Sequence, residues 1–278
     1  MPVHLRVNGL KTGPSRLIPV LKEKGIELRS SNPRYEYLFD APSLRSPGNL
    51  LEYLIGYIHP QALTSCLAAV ALSPAPCSYV LDMCASPGGK TSHLSQIMGN
   101  SGLIIANELY RTRHIPLAHT LSRLGVLNAA ITSYQAQEFP INQKFDYVLA
   151  DVPCSGEGRI RNVKGTGEVS RTPKKYRMSG LIETQKKIIL RGVDLLKEKG
   201  QMLYSTCTYN PEENEAVVNF LIQNRDVTLL PIDVGLNYEK GLTRWRGEKY
   251  DIQLERTARF YPHRIDSVGF FMARIFKG

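Results

Sequence analysis

The sequence predicts an α/β fold, a mostly parallel sheet with helices on both faces, preceded by a small amino-terminal α/β segment. Two observations carry this. Strand-like and helix-like stretches alternate from Ser78 onward, the pattern of right-handed βαβ crossovers. The stretch LDMCASPGGKT, Leu81 to Thr91, joins an apolar strand to a glycine-rich turn and then a helix. The turn therefore falls at the carboxyl end of a strand, where open α/β sheets bind ligands.

The elements follow in order. His4 to Leu10 alternates like a strand, and Thr12 to Gly25 carries a helix stopped by Gly25. Ile26 to Ser46 reads as short strands and loops. This gives a small α/β unit over residues 1–49, a candidate partner-facing surface or only a packing extension, and a main domain over 50–278. Leu50 to Leu72 reads as helical on both sides of Pro60, with Pro74 and Pro76 closing it. His59, alone beside a proline at a helix start, reads as structural rather than as a ligand or base. Seven strands are expected in the main domain: Ser78 to Cys84, Gly102 to Glu108, Asn128 to Tyr134, Phe145 to Asp151, Gln201 to Thr208, Val227 to Ile232 and Val268 to Phe276. Helices are expected from about Lys90, over Tyr110 to Gly125 and over Leu181 to Gly200. A further helix opens at Asn210 as N-cap, with Pro211 in its first turn and Glu213 completing a capping box.

Composition limits the function classes. At 278 residues, 42% hydrophobic and 22% charged, the chain can bury one substantial core like an ordinary globular protein. No apolar run is long enough to span a membrane and no signal-peptide pattern opens the chain, so a cytoplasmic protein without membrane contact is expected. Lys and Arg outnumber Asp and Glu by 35 to 25, a charge of +10, which favours a polyanionic partner, nucleic acid foremost. Cysteines at 66, 77, 84, 154 and 207 match neither a disulfide framework nor metal-ligand spacing, and no metal is expected.

Gly88 and Gly89 let backbone approach a ligand with no Cβ in the way, although a Gly-Gly turn alone is ordinarily structural. Glu108, at the end of the second strand and eighteen residues past Lys90, lifts it above that default, because a carboxylate there can accept from both hydroxyls of a ribose. Gly89-Lys90-Thr91 matches the end of a phosphate-binding P-loop, but the leading glycine of that motif falls on Cys84. One acid at the turn, rather than several basic groups, favours a cofactor without phosphates such as S-adenosylmethionine.

Two cysteines, in DVPCSGEG (Asp151 to Gly158) and STCTY (Ser205 to Tyr209), fall at the same sheet edge as this turn. Singly each is more often an apolar filler. Together, with Asp151 three residues before Cys154, they suggest covalent chemistry. Carbon 5 of cytosine is a poor nucleophile until a thiolate adds at carbon 6. The charge then developing at ring nitrogen 3 needs a donor, which a carboxyl group of raised pKa can be. Spacing does not choose between Cys154 and Cys207 as that thiolate, since DNA cytosine methyltransferases use a Pro-Cys cysteine.

LDMCASPGGKT, ADVPCSGEG, YSTCTYNPEENE and RFYPHRIDSVGFF, in this order, resemble the NSUN/RsmB family of RNA cytosine-C5 methyltransferases, and RVN at 6–8 is similar to its small RNA-recognition-like segment. The resemblance implies a Rossmann-like methyltransferase sheet of seven strands and an S-adenosylmethionine-dependent enzyme. In it Cys207 is the nucleophile, Cys154 helps product release, Asp151 contacts the target base and Lys90 reaches into the catalytic pocket. It also implies that the cofactor is held by Cys84, Ala85, Ser86, Pro87, Gly88, Gly89 and Lys90, with Glu108 on the ribose and Arg113, Gln135 and Asp151 nearby. Gln135 departs from the family, which usually has Asp at this place near the adenine amino group; a Gln carbonyl can still accept that hydrogen bond.

Between the Pro-Cys motif and the next helix, Ser155 to Ser179 carries Arg159, Arg161, Lys164, Arg171, Lys174, Lys175 and Arg177 against Glu157 and Glu168. Because this basic run starts at Cys154, phosphate contact is expected. Arg244, Trp245, Arg246 and Lys249 mix charge with an aromatic ring that can stack an unpaired base or simply pack. The expected partner is a structured RNA, transfer RNA ahead of ribosomal RNA, acted on by a monomer. The alternatives are an RNA-binding module that keeps the fold without the activity, a DNA cytosine methyltransferase dependent on Cys154, and a small-molecule methyltransferase indifferent to the basic run.

Overall fold

The structure is a computed structural model that describes residues 1–162 and 175–278, with side chains described outside 160–177. The amino-terminal unit begins with β1 (Val3–Val7), helix α1 (Pro14–Glu23), β2 (Arg29–Ser30) and β3 (Leu38–Ala41). Pro14 suits the first turn of α1, where its missing N–H would have no partner. Leu17 and Leu21, one turn apart, are buried from that helix against Leu5, Val7, Phe39 and Ile58.

Next come α2 (Leu51–Leu54), β4 (Ile58–Pro60) and α3 (Leu63–Leu72). Helix on both sides of Pro60 is therefore half right. Ile58–Pro60 is a strand that pairs antiparallel with β1, placing Arg6 opposite His59. Proline disfavours a helical residue before it and is tolerated at a sheet edge, and β4 is the edge of the order β2-β3-β1-β4. This sheet thus draws its last strand from beyond residue 50. Helix α3 has nine of its ten residues buried, as befits a helix packed between the two sheets.

The main domain continues with β5 (Tyr79–Asp82), α4 (Gly89–Ile97), β6 (Leu103–Asn107), α5 (Arg111–Arg123), β7 (Ala129–Thr132) and β8 (Phe145–Asp151). It closes with α6 (Lys175–Asp194), β9 (Leu196–Thr206), α7 (Glu215–Asn224), β10 (Val227–Leu230), β11 (Glu239–Lys240), β12 (Arg244–Trp245), β13 (Glu248–Lys249), β14 (Ala258–Phe260), α8 (Pro262–Ile265) and β15 (Phe270–Lys277). The sheet runs β11-β14-β15-β9-β8-β5-β6-β7, with β10 also on β15. The neighbours from β7 to β9 are parallel, and β15 runs antiparallel to β9. Strand order reverses at β5, which puts the turn after β5 at the topological switch point.

Side-chain alternation fills both faces. Val148, Ala150, Met202 and Tyr204 pack with Ile188, Ile189, Val217 and Leu221 of α6 and α7. The intervening Leu149 and Leu203 face α3 and Leu94 of α4.

Three expectations need correction. The sheet among the described residues has nine strands rather than seven: the two-residue β11 and three-residue β14 extend its edge and are too short to show a period in sequence. Helix α6 stops at Asp194, not Gly200, because Leu195 and Leu196 are fully buried and Leu196 pairs with Phe145; burial overrides the helical preference of Lys-Glu-Lys. Helix α7 is capped at Asn214 rather than Asn210. Residues 211–214 form turns, with Asn210 Oδ1 accepting from Glu212 N at 3.1 Å. Glu213 closes no capping box, since its Oε2 accepts from Ser155 N at 2.9 Å and Gln185 Nε2 at 3.0 Å.

Candidate active site

Adjacent strands β8 and β9 end together, with Asp151 opposite Ser205. Just beyond those ends Cys154 and Cys207 meet, Sγ to Sγ at 3.2 Å, and the Cys207 N–H donates to Cys154 Sγ at 3.3 Å. The backbone behind Cys207 is layered: Gly158 N donates to Cys207 O and Gly269 N to Gly158 O, each at 2.9 Å. A Cβ on Gly158 would lie 2.3 Å from Gly269 O and 2.8 Å from Cys207 O. Only glycine permits this approach.

Lys90, in the first turn of α4, donates from Nζ to Asp151 Oδ2 at 2.7 Å and lies 5.6 Å from the centre of the Phe270 ring. Ser205 Oγ donates to Asp151 Oδ1 at 2.8 Å. Burial works against the Lys90 ammonium, but the charge of Asp151 and the hydrogen bond to it outweigh burial and raise its pKa. Both Asp151 oxygens accept hydrogen bonds here, one from Lys90 and one from Ser205.

The two sulfurs are unequal. The Cys154 thiol hydrogen-bonds to Cys207 and, against burial and the charge of Asp151, holds the Cys207 thiol below its ordinary range, with Arg159 and Lys90 adding to the effect. The same bond, together with burial, pushes Cys154 well up. The anion therefore belongs on Cys207, next to the cations.

The turn after β5 reverses through Gly88, whose φ of 98° is left-handed and whose Cβ would press on Leu117 and Thr120 at 3.1 and 3.2 Å. A cavity of about 150 Å³ opens here, lined by Cys84 to Pro87, Gly89, Lys90 and Asp151 on one side and by His59 and Gln61 on the other. Arg113 braces the turn: Nη2 donates to Ser86 O at 3.0 Å, and Nη1 pairs with Glu108 Oε2 at 3.1 Å. Glu108 is buried at the end of β6, its Oε1 accepting from Tyr110 N at 3.0 Å. A side-chain-free turn at the switch point, a cavity at its mouth and a carboxylate on the neighbouring strand end fit a nucleoside cofactor.

Lys90, Asp151, Cys154 and Cys207 thus converge, and Ala85, Ser86, Pro87 and Gly89 face the cavity. The Cys84 thiol is driven strongly upward by burial and the nearby acids, and Cys84 also lines the cavity. Gln135 is exposed and its carbonyl accepts from Gln137 Nε2 at 2.7 Å. Of the basic run, Arg159 lies beside Cys207, while Lys164 and Arg171 to Lys174 lie outside the described residues, as do the side chains of Arg161, Lys175 and Arg177. Sequence reasoning passed over Asp82, Ser205 and Phe270. Asp82 is fully buried, accepts from Thr91 Oγ1 at 2.7 Å and is pushed up to about 6, mainly by burial. Its signal was available, as an acid closing the strand just before the turn.

The fold is that of the Rossmann-like methyltransferases. The model of the family described as "16S rRNA methyltransferase RsmB/F" matches residues 69–276. The "tRNA (cytosine(49)-C(5))-methyltransferase" of Pyrococcus abyssi is 37% identical over 261 residues, which is 94% of this chain and 79% of that protein. The "28S rRNA (cytosine(4447)-C(5))-methyltransferase" of Homo sapiens is 36% identical over 287 residues, 99% of this chain and 34% of that protein. The chain spans about a third of the length of its human and mouse relatives. The crystal structure of a methyltransferase homologue from Pyrococcus horikoshii covers 100% of this chain and 87% of its own, at a TM-score of 0.88 and 34% identity. The chain belongs to the RsmB/F methyltransferase family.

Proposed function

We propose that the protein methylates carbon 5 of a cytosine in structured RNA, transfer RNA ahead of ribosomal RNA, through a transient bond from Cys207 to carbon 6. The observation that carries this reading is the meeting of Cys207 and Cys154 sulfurs at 3.2 Å beside the Lys90–Asp151 pair. S-adenosylmethionine, the cofactor of the family, supplies an electrophilic methyl group when bound.

The chain's own residues do the rest. The backbone from Cys84 to Gly89 and the Glu108 carboxylate hold the cofactor. Cys207 adds to carbon 6 as a thiolate while the proton the sulfurs shared stays on Cys154, and carbon 5 becomes an enamine-like nucleophile. Asp151 accepts from the exocyclic amine of the base. Lys90, held by Asp151, stabilises the charge that develops at ring nitrogen 3. Once carbon 5 carries the methyl group its proton passes to solvent, the electron pair of that bond re-forms the carbon 5–carbon 6 double bond, and Cys207 leaves as a thiolate that the Cys154 thiol again stabilises by hydrogen bonding. A Cys154 nucleophile, as a DNA-type enzyme requires, is disfavoured because its thiol is the one pushed up.

Carbon 6 is inaccessible in a stacked duplex, so the target base must be flipped or unpaired. Beside the cysteines an open groove of about 830 Å³ is lined by Tyr209, Trp245, Arg246 and Glu157. It offers stacking surfaces for the neighbouring nucleotides. Transfer RNA is favoured by the relative of similar length, since the chain covers 79% of the Pyrococcus abyssi protein. Incubation with labelled S-adenosylmethionine and total RNA, followed by mapping of 5-methylcytosine, tests the reading. Label at a cytosine of transfer RNA is expected, ribosomal label alone would overturn the substrate, and no label would overturn the activity.

A further inference from the structure

The wall of the 150 Å³ cavity opposite the glycine turn is formed by His59 and Gln61, and two cations stand behind it, Arg6 on Gln61 and Arg123 on His59. Arg6 is fully buried on β1; its Nη2 donates to Ser92 Oγ at 2.7 Å, its Nε to Gln61 Oε1 at 3.4 Å, and its Nη1 to Gln96. Arg123, at the end of α5, lies over the Tyr53 ring at 3.9 Å and donates to the carbonyls of Tyr53 at 2.6 Å and Ile58 at 3.3 Å. Neither guanidinium forms an ion pair among the described residues. The acid that faces this cavity, Asp151, is already paired with Lys90. A buried positive charge without a counter-ion is costly unless an anion comes to it.

His59 lies between these cations and the cavity. Arg123 Nη2 lies 3.0 Å from His59 Nδ1, and a guanidinium can only donate, so Nδ1 is the acceptor and the ring hydrogen is on Nε2. Burial, aided by Arg6 and Arg123, holds the ring at about 3, so it is neutral at physiological pH. Nε2 faces the turn, 3.1 Å from where a Cβ on Gly89 would be. Its N–H is thus a donor of fixed direction aimed past Gly89, at the start of a helix whose first turn has no side-chain cap.

We infer that His59 receives the carboxylate of the cofactor's amino-acid end, with the unpaired charge of Arg6 behind Gln61 drawing that anion into the cavity. The inference rests on the cofactor reading above. The cavity is small beside the roughly 300 Å³ or more of a whole ligand site, so one end of the cofactor enters it. An RNA phosphate, carried between two sugars, needs an open groove instead.

Two ligands separate the possibilities: S-adenosylhomocysteine, which has the amino-acid end, and 5′-methylthioadenosine, which lacks it. In calorimetric titrations of the full chain, His59→Phe is expected to weaken S-adenosylhomocysteine by about tenfold, the worth of one charge-assisted hydrogen bond, and to leave methylthioadenosine unchanged. His59→Gln, which keeps a donor, is expected to recover part of the loss. Equal weakening of both ligands, or of neither, overturns the inference. Should the variants fail to fold, nitrogen NMR of the wild-type histidine ring decides: the Nε2 resonance is expected to move with S-adenosylhomocysteine but not with methylthioadenosine, and the same response to both overturns the inference. If wild-type protein binds neither ligand, the cofactor reading itself falls.

Discussion

The pairing of two sulfurs at 3.2 Å makes the reactivity of Cys207 depend on a neighbour rather than on its own exposure. The Cys154 hydrogen bond lowers the Cys207 pKa from its ordinary value of 9.0, so at a given pH more thiolate is present than on a free cysteine. Alkylation of Cys207, followed across pH by mass spectrometry, should therefore show a midpoint below 9. In Cys154→Ala the midpoint should move up, and an unmoved midpoint would mean the partner does not matter. Asp82 gives a second prediction with a definite sign. Its folded pKa, raised from 3.8 to about 6, means that stability is greatest below the unfolded value and falls as pH rises through the folded one. The displacement corresponds to roughly 3 kcal/mol for this buried group. Relative to wild type, Asp82→Asn should gain melting temperature between about pH 4 and 6 and hold that gain above it; parallel curves would contradict the assignment. That Cys154 and Cys207 share one sheet edge was legible in sequence because each follows a strand end, whereas the places of Cys207 and Lys90 in the site were suggested only by the family resemblance. Ser205 and Phe270 were not legible, because they matter through their neighbours' positions across the sheet.

At the scale of elements, the β9 end, the Gly158 turn and the start of β15 form one backbone stack behind Cys207. Gly158→Ala would force a carbonyl away at 2.3 Å, and overpacking of this kind costs about 1–3 kcal/mol. Turnover should fall by at least about tenfold for a displacement near 1 Å, with a lower melting temperature; normal turnover would show the stack to be dispensable. The main strands were readable because buried parallel strands are continuous apolar runs. The boundaries that failed, at α6, α7 and β4, are places where tertiary demands outweigh local preference: burial of Leu196, recruitment of Glu213 by Ser155 and Gln185, and pairing of Ile58–Pro60 with β1. His59 was set aside for the same reason, since a strand pairing between distant segments leaves no local signature.

Across the whole molecule, the small sheet is fastened to the methyltransferase domain by buried polar contacts rather than by a surface patch. Asn8 Nδ2 donates to Gly56 O and Leu124 O at 2.8 Å each, and Arg6 reaches Ser92 and Gln96 on α4. Arg6→Met leaves those groups unpaired and should cost about 2–4 kcal/mol, seen as a lower single thermal transition. A separate early transition would instead show that the small unit melts independently. In the proposed mechanism the whole arrangement serves one chemical event, attack by Cys207 on a base presented at the carboxyl edge of the sheet. The most direct measurement is to incubate Cys154→Ala with S-adenosylmethionine and transfer RNA, run a denaturing gel, and locate the cross-linked peptide by mass spectrometry. The proposed mechanism predicts a retarded protein–RNA band joined through Cys207, absent in the Cys154→Ala, Cys207→Ala double variant. No retarded band, or a band that survives loss of Cys207, would contradict it.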